Sequence, residues 1–266
     1  MNFRLFQPVA SLSRYIKQYW FLEMEASEAV GERVIPTGYV ELTFHFANHL
    51  LKRKRIDELQ PGIILSGQKT DFFDVLPTGK ISMLSIQFYP HSAGLFFDLP
   101  VNELTNETLD LYDLFGAPAR ELEEQLDDLP TLEEKVKHIE NFLLDRLSLK
   151  TNDAWNRISH TIGLINQSNG MITLDKLASE ACLCRKQHER VFKEMVGLSP
   201  KQFLKVIRFQ YALYAHQHHS IESLTELAYR CGYYDQSHMI HDFRELSGIT
   251  PKQYFNVCTN PVSDYF

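Results

Sequence analysis

Two stretches in the second half of the chain carry long polar side chains at helical spacing. The first is a predicted helix at about residues 185–196, and its polar side contains Arg185, Lys186, Gln187, Glu189, Arg190 and Lys193. The second predicted helix offers Gln236, Ser237, His238, His241 and Arg244. Side chains of these types form hydrogen bonds with the base edges and phosphates of nucleic acids. An ordinary solvated helix face has the same composition, so the surrounding sequence has to separate the two interpretations.

These clusters lie in the two copies of an internal repeat. The segment FKEMVGLSPKQF at residues 192–203 returns as FRELSGITPKQY at 243–254, and LASEAC at 177–182 returns as LAYRCG at 227–232. Each copy predicts a short helix, a turn and a second helix, followed by a Ser-Pro or Thr-Pro pair that suits the start of another helix. A merely solvated face has no reason to recur beside the same turn. The repeat therefore favours two helix-turn-helix units whose second helices contact DNA.

The predicted units span about residues 172–196 and 222–246. In the second unit, Ser223 and Glu226 predict a capping box at the start of the first helix. Gly232 lies in the turn, where the backbone needs a residue that tolerates a positive φ. The apolar side chains of the second helix share one face and are Met239, Ile240, Phe243 and Leu246.

Residues from about 172 to 255 resemble the double helix-turn-helix domain of the AraC/XylS transcription regulators. The family pattern, roughly A-x-x-x-G-[FY]-x-x-x-S and then F-[KR]-x-x-x-G-x-[ST]-P-x-x-[FY], is carried here by Ala228, Gly232, Tyr233, Ser237, Phe243, Arg244, Gly248, Thr250, Pro251 and Tyr254. Arg208 and Ala212 also fall where the connecting helix of the family carries Arg and Ala.

That resemblance implies which side chains face DNA bases and which partners the protein has. The implied base contacts are Lys186, Glu189 and Arg190 in the first unit and Gln236, Ser237, His238 and His241 in the second. The implied partners are promoter DNA and RNA polymerase, and activation is the commoner outcome for chains with this pattern.

The first unit departs from the family pattern at three positions. Cys182 stands where Gly is usual, Cys184 where the helix N-cap is normally Ser, and His188 where an apolar Leu is expected. Losing a good N-cap costs on the order of 1 kcal/mol, and a buried histidine needs a hydrogen-bond partner or the neutral state. We therefore expect the first unit to be the less stable one.

Length and charge predict two domains, at residues 1–149 and 150–266 of the 266. Residues 1–149 contain 14 Lys and Arg against 23 Asp and Glu, whereas residues 150–266 contain 13 against 11. The acidic first domain argues against DNA contact there. DNA affinity is therefore expected to come from locally placed cations of the second domain.

Hydropathy and cysteine spacing exclude several other classes of protein. The sequence has no long apolar run, and Arg4 and Pro8 interrupt its opening, so we expect no membrane span and no secretory signal, but a soluble cytoplasmic protein. The cysteines are Cys182, Cys184, Cys231 and Cys258, and none has C-x-x-C spacing. This predicts reduced structural thiols rather than a zinc site.

The first half of the chain shows strand periodicity. Val40, Leu42, Phe44 and Phe46 alternate with Glu41, Thr43 and His45, which predicts a half-buried strand, and residues 63–65 and 83–88 predict further strands. Helical periodicity returns at residues 118–129 and 131–149, where Thr131 and Glu134 predict a capping box. The fold class expected is α+β with two domains: a small β-barrel or sandwich with helices, and then an all-α double helix-turn-helix domain.

The apolar stripe of the last helix in that half, formed by Val136, Ile139 and Leu143, has two interpretations. It packs within the chain, or it pairs two chains in a homodimer. Four phenylalanines are expected in the core, namely Phe72, Phe73, Phe96 and Phe97. The basic run at residues 52–55 is expected to be a solvated hairpin tip.

The segment PTGYVELTFHF, with LSGQ at residues 65–68 and SIQFYPHSAGLFFDLPVNELTN, resembles the β-rich N-terminal domain of many AraC-type regulators. That resemblance implies a cupin-like sensor or association module. By alternation, the polar groups that could line a barrel interior and bind an effector are Tyr39, Glu41, His45, Gln87, Tyr89 and His91, although they could equally face solvent. The clustered His-x-His and Glu of a cupin metal site is missing, so no metal or other cofactor is expected.

These patterns favour a sequence-specific transcription regulator without a catalytic site over two enzymatic alternatives. A DNA-repair methyltransferase with a helical targeting domain needs a metal-bound cysteine nucleophile, but residues 1–149 contain no cysteine. A cupin-like enzyme fused to a DNA-binding domain is disfavoured because its metal triad is missing and because we find no Ser/His/Asp or Gly-rich phosphate motif.

Overall fold

The computed structural model describes residues 1–27, 30–54, 56–148 and 152–257. Within these residues the first half of the chain contains ten strands in two antiparallel sheets. The strands are β1 (Asn2–Phe6), β2 (Ile16–Met24), β3 (Glu32–Val34), β4 (Val40–His45), β5 (Leu50–Arg53), β6 (Asp57–Leu59), β7 (Ile63–Ser66), β8 (Phe73–Pro77), β9 (Ile81–Phe88) and β10 (Thr108–Asp110). The six-stranded sheet has the order β1-β2-β9-β4-β7-β10, and the four-stranded sheet has the order β3-β8-β5-β6.

The six-stranded sheet has an apolar core on one face and a cavity on the other. On β4, Val40, Leu42 and Phe44 are buried in that core. The alternate residues Glu41 and Thr43 line the cavity between the two sheets. Successive side chains of a strand point to opposite faces, so β4 is buried on both faces and not half-buried as its alternation suggests.

Four helices and a 3₁₀ turn at Val101–Leu104 cover the core face of this sheet in the described residues. The helices are α1 (Gly94–Phe97), α2 (Leu111–Phe115), α3 (Ala117–Asp128) and α4 (Leu132–Arg146). Thr131 and Glu134 form the predicted capping box at the start of α4. The apolar stripe of α4, with Val136, Ile139 and Leu143, is buried in the core of the same chain, so it offers no face to a second chain.

In the described part of the second half, seven helices follow. They are α5 (Asp153–Gln167), α6 (Leu174–Glu180), α7 (Arg185–Val196), α8 (Pro200–His218), α9 (Leu224–Arg230), α10 (Gln236–Ser247) and α11 (Pro251–Val257). The first helix-turn-helix unit is α6 with α7, and the second is α9 with α10. The first unit spans residues 174–196 and the second spans residues 224–247, against the predicted ranges of about 172–196 and 222–246.

Helix α8 joins the two units through one continuous core. It begins with a capping box formed by Ser199 and Gln202. Phe203, in its first turn, contacts Phe192 of α7, with 5.7 Å between the ring centroids. Phe209, further along α8, contacts Phe243 of α10 with a centroid distance of 4.8 Å. The second helix of each unit thus buries its apolar side against the same connecting helix.

The capping box predicted at the start of α9 is only half formed. Ser223 Oγ accepts a hydrogen bond from the backbone N–H of Glu226 at 3.1 Å. The Glu226 carboxylate, however, accepts from the N–H of Glu222 at 2.9 Å, so the return bond forms one residue earlier than predicted. Arg55 of the basic run, Cys258 and the predicted domain boundary at residues 149 and 150 lie outside the described residues.

The two halves of the chain share their cores. Trp155 of α5 is 2 % exposed and belongs to the core of the first half, where its ring centroid lies 4.8 Å from that of His91. Ile35 of the first half is 2 % exposed and belongs to the core of the helical half. A fragment that begins at residue 150 would expose the Trp155 ring, so binding measurements need the full chain. None of the described helices combines the length and apolar character that a membrane crossing requires.

Candidate nucleic-acid interface and N-terminal cavity

Helix α7 presents its polar cluster to solvent. Arg185, Lys186, Gln187, Glu189, Arg190 and Lys193 are all exposed. Two of the cations have carboxylate neighbours: Arg190 Nη1 lies 2.9 Å from Glu194 Oε1, and Arg185 Nη1 lies 3.4 Å from Asp175 Oδ1. Ion pairs this exposed contribute roughly 0–1 kcal/mol. Each guanidinium group can therefore exchange its carboxylate for a phosphate or a base edge at little cost.

Helix α10 presents the second cluster in the same way. Ser237, His238, His241 and Arg244 are exposed, whereas Gln236 is half-buried. The Oγ1 hydroxyl of Thr225 donates to Gln236 Oε1 at 3.0 Å, which fixes that side chain at the start of the helix. Asp235 is the N-cap, since its Oδ1 accepts from the backbone N–H of His238 at 2.7 Å.

The three departures in the first unit have visible structural consequences. Cys182 adopts a left-handed φ of 52°, where the second unit has Gly232 at 72°. Cys184 is the N-cap of α7 and makes no side-chain capping bond. His188 is 2 % exposed, its Nε2 has no hydrogen-bond partner, and burial lowers its pKa, so the ring stays neutral in the core at pH 7.

One group of side chains on α10 has metal-ligand chemistry. Ligand atoms of His241, Asp242 and Glu245 all lie within 4.8 Å of one another. The ammonium of Lys205, however, lies 2.8 and 2.7 Å from the two carboxylate oxygens of Glu245. A positive charge in that position opposes a divalent cation, so we interpret the group as an ion-pair cluster between α10 and Lys205 of α8.

A cavity of about 150 Å³ lies between the two sheets of the first half. Its walls are mostly apolar and include Trp20 and Leu22 of β2, Phe73 and Val75 of β8, and Met83 of β9. An apolar cavity of that size holds a molecule as large as benzene. The first half therefore contains a partly open cavity of about that size.

Buried polar side chains support Glu41, which lines the cavity. Its carboxylate accepts hydrogen bonds from Gln87 Nε2 at 3.0 Å and from Ser85 Oγ at 3.4 Å, and burial raises its pKa. Lys69 also lines the cavity, and its Nζ donates to the carbonyl oxygen of Glu107 at 2.7 Å and to Thr108 Oγ1 at 3.2 Å. Both acceptors are uncharged, and burial lowers the pKa of Lys69 to about 7.

The six side chains proposed for effector binding from the sequence do not all lie together. Tyr39 and Glu41 line the cavity, and Gln87 supports the Glu41 carboxylate. His45 packs against His49, with 5.6 Å between ring centroids, and His91 packs against Trp155. The ring centroids of Tyr89 and His91 lie 6.5 Å apart. His45, Tyr89 and His91 are not part of the cavity lining. The sequence could not show this, because the alternation of a strand does not indicate where along the chain its residues stop facing the cavity.

Sequence reasoning missed two groups of residues that the fold places at these sites. Tyr234 is 85 % exposed and directly precedes the N-cap of α10, beside the polar cluster. An aromatic residue in a polar turn was the available signal. Lys69 and the apolar wall of the cavity gave no signal, because residues from both sheets come together only in the folded domain.

Two family models match the chain, one over the strands of the first half and one over the helical half. Residues 4–110 match a family described as a domain of unknown function, DUF6597, and residues 177–256 match one described as a helix-turn-helix domain. The HTH-type transcriptional activator RhaS of Escherichia coli is 28% identical over 137 residues, which cover 50% of this chain and 49% of RhaS. The HTH-type transcriptional regulator ArgR of Pseudomonas aeruginosa is 28% identical over 82 residues, or 31% of this chain and 25% of ArgR. The chain thus matches between a quarter and a half of the length of these relatives.

The solved structures to which the chain is similar include whole chains and isolated domains. ToxT from Vibrio cholerae is 11% identical, covers 91% of this chain and 99% of its own, and has a TM-score of 0.49. The DNA-binding domain of AdpA, in complex with a target DNA, is 22% identical, covers 38% of this chain and 92% of that domain, and has a TM-score of 0.36. Residues 177–256, which contain the repeated helix-turn-helix units, thus match a helix-turn-helix domain and lie in a chain that is similar in sequence to HTH-type transcriptional regulators.

Proposed function

We propose that this protein is a transcription regulator that reads two adjacent major-groove segments of a promoter, one with α7 and one with α10. The observation that supports it most strongly is the repeated geometry. Each helix turns a polar cluster to solvent and buries its other side against α8. The second helix of a helix-turn-helix unit docks in the major groove, and successive grooves on one face of DNA lie about 10 bp apart.

Substitutions in each recognition helix test this proposal. Arg190→Ala should relax base preference in one DNA element, and Gln236→Ala should do so in the other, each by ~1 to 3 kcal/mol of discrimination. Matched controls are Arg120→Ala on α3 and Gln217→Ala on α8, which remove exposed side chains of the same types outside the recognition helices. The measurement is binding-site selection on the full chain. If all four variants select the same sequences as the parent protein, the two helices do not read bases.

For the first half we propose a sensor role, with the cavity as the effector site. Its apolar walls, together with Glu41 and Lys69, suit a small apolar molecule that carries one polar group. The chain has two tryptophans, and Trp20 lines the cavity, so Trp155→Phe leaves a single fluorescent reporter there. Small aromatic and aliphatic compounds with a hydroxyl, amine or carboxylate group should change its emission. Lys69→Met should selectively weaken the binding of compounds with polar groups. If no compound of the panel changes the Trp20 emission, the sensor role of the cavity is refuted.

The remaining parts of the proposal rest on the resemblance to AraC/XylS regulators and on the similarity to RhaS. RhaS is named an activator, and we propose activation, contact with RNA polymerase at the promoter and a cytoplasmic location for this protein as well. Self-association is also part of the proposal, although the α4 stripe is buried and another surface would have to provide it. Sedimentation of the full chain counts the subunits.

The enzymatic alternatives require a metal-bound nucleophile or a metal triad, and metal analysis of the purified protein distinguishes them from a regulator.

A further inference from the structure

The first half of the chain contacts the C-terminal ends of both recognition helices. Thr105 Oγ1 donates a hydrogen bond of 2.7 Å to the carbonyl oxygen of Gly197, the C-cap of α7. Arg33 Nη1 donates one of 2.9 Å to the carbonyl oxygen of Ser247, the last residue of α10. The last carbonyl groups of a helix have no partner within the helix, and a cation there interacts favourably with the helix dipole. The β-rich half thus supplies a partner for each helix end.

Two glycines of the repeat permit this close approach. Gly197 and Gly248 end α7 and α10 with φ of 90° and 77°. A Cβ atom on Gly248 would collide with the ring of Phe72, and one on Gly197 would lie 3.1 Å from the carbonyl oxygen of Val101. The repeat position that ends each recognition helix is therefore also the position at which the first half docks.

A third contact reaches the connecting helix. Residues 33–38, which we call the docking segment, run along the helical half. Gln210 Nε2 of α8 donates to the carbonyl oxygen of Pro36 at 2.6 Å, and the backbone of Gly38 approaches Phe203 and Ile207 of the same helix. The docking segment therefore contacts α8 and α10, while Thr105 contacts the C-cap of α7.

The docking segment is also a wall of the cavity. Arg33, Val34 and Ile35 are among the residues that line the space between the sheets. Asp74 holds Arg33 through two hydrogen bonds, of 2.8 Å to Arg33 Nε and 3.1 Å to Arg33 Nη2. The Phe72 ring adds a cation–π contact, with 4.3 Å from Arg33 Cζ to the ring centroid. A molecule in the cavity would meet the same segment that holds the end of α10.

We propose that the β-rich half is a clamp that fixes α10 relative to α7 and thereby sets the spacing between the two DNA elements that the chain accepts. This inference rests on the proposed reading of DNA by both helices. The clamp holds the C-terminal ends of the helices and leaves the polar clusters exposed, so it constrains the reading surface without covering it. An effector bound in the cavity would contact the docking segment and would change that spacing through it.

Removing both hydrogen bonds tests the clamp. The test variant is Arg33→Gln with Thr105→Val. The matched control is Arg53→Gln with Thr78→Val, because Arg53 pairs with Asp57 and Thr78 donates to the carbonyl oxygen of His49, all within the first half. Each full-length protein selects from a DNA pool in which the two preferred elements are separated by spacers of variable length.

The parent protein and the control should select one narrow range of spacers. The test variant should keep the base preferences of each element but accept additional spacer lengths. An unchanged spacer distribution overturns the clamp while leaving the proposed function intact. If the parent protein selects no paired elements, the proposed function is refuted instead. The clamp is then tested by a measurement that does not involve DNA.

Hydrogen exchange provides that second measurement. The N–H groups of Gly197 and Gly248 are bonded to the carbonyl oxygens of Lys193 and Arg244 in the last turns of α7 and α10. In the test variant these amides should exchange about tenfold faster than in the control, the effect of losing roughly one hydrogen bond. Equal protection in the two proteins shows that the first half does not hold the helix ends.

Discussion

The first helix-turn-helix unit should become more stable when its turn is given a glycine and an N-cap residue that forms a capping hydrogen bond, as Gly232 and Asp235 do in the second unit. Cys182 has a φ of 52°, and a left-handed backbone costs a residue with a Cβ roughly 1–2 kcal/mol. Glycine recovers that cost but loses about 0.5–1 kcal/mol through its greater freedom in the unfolded chain, so Cys182→Gly should add about 1 kcal/mol to the free energy of unfolding. Cys184→Ser supplies the missing N-cap bond and should add about 1 kcal/mol more. Both cysteines are exposed, so neither change removes buried surface.

Urea unfolding in reducing buffer, followed by circular dichroism, measures the effect. Reverse substitutions in the second unit provide the comparison, since Gly232 has a φ of 72° and Asp235 caps α10. Asp235→Cys should lower the free energy of unfolding by about 1 kcal/mol. Gly232→Ala should lower it by at least about 1 kcal/mol, because a Cβ there also meets the Met171 side chain, which has to move. If the reverse changes cost this much while Cys182→Gly and Cys184→Ser give no increase, the first turn is not strained and the reasoning fails.

Two further predictions concern pH. Burial lowers the pKa of His91 to about 4. The stability that neutral His91 contributes is therefore complete above pH 6.5 and is lost as the pH falls towards 4. His91→Phe should prevent up to about 3 kcal/mol of that loss of stability, as measured in acid unfolding curves. An acid profile identical to that of the parent protein would show that His91 is not the group responsible. Lys69 has its pKa lowered to about 7, so the unfolded chain binds the extra proton between pH 7 and 10.5, and stability should rise with pH across that window. Lys69→Met should flatten the rise, and a rise that persists in this variant would mean that Lys69 is solvated.

The sequence predicts the helical half better than the β-rich half, for physical reasons. Its helices are marked by short-range signals such as Ser199 with Pro200, and the repeat shows which signals are shared. Short strands such as β3 and β6 have three residues each, too few for an alternation to be visible. The cavity and the clamp depend on contacts between distant segments: Phe72 looks like a core residue in sequence, yet it packs against Gly248. The polar clusters were visible because exposed side chains on one helix need no distant partner.

Footprinting of the full chain on a selected DNA site tests the central claim most directly. Since α7 and α10 differ in sequence and belong to one chain, a single protein molecule should protect two unlike elements about 10 bp apart on one face of the duplex. Arg190→Ala should weaken protection in one element, and Gln236→Ala should weaken it in the other. Protection of a single groove, or of a strictly palindromic site whose halves respond alike to both variants, would contradict the reading of DNA by two recognition helices.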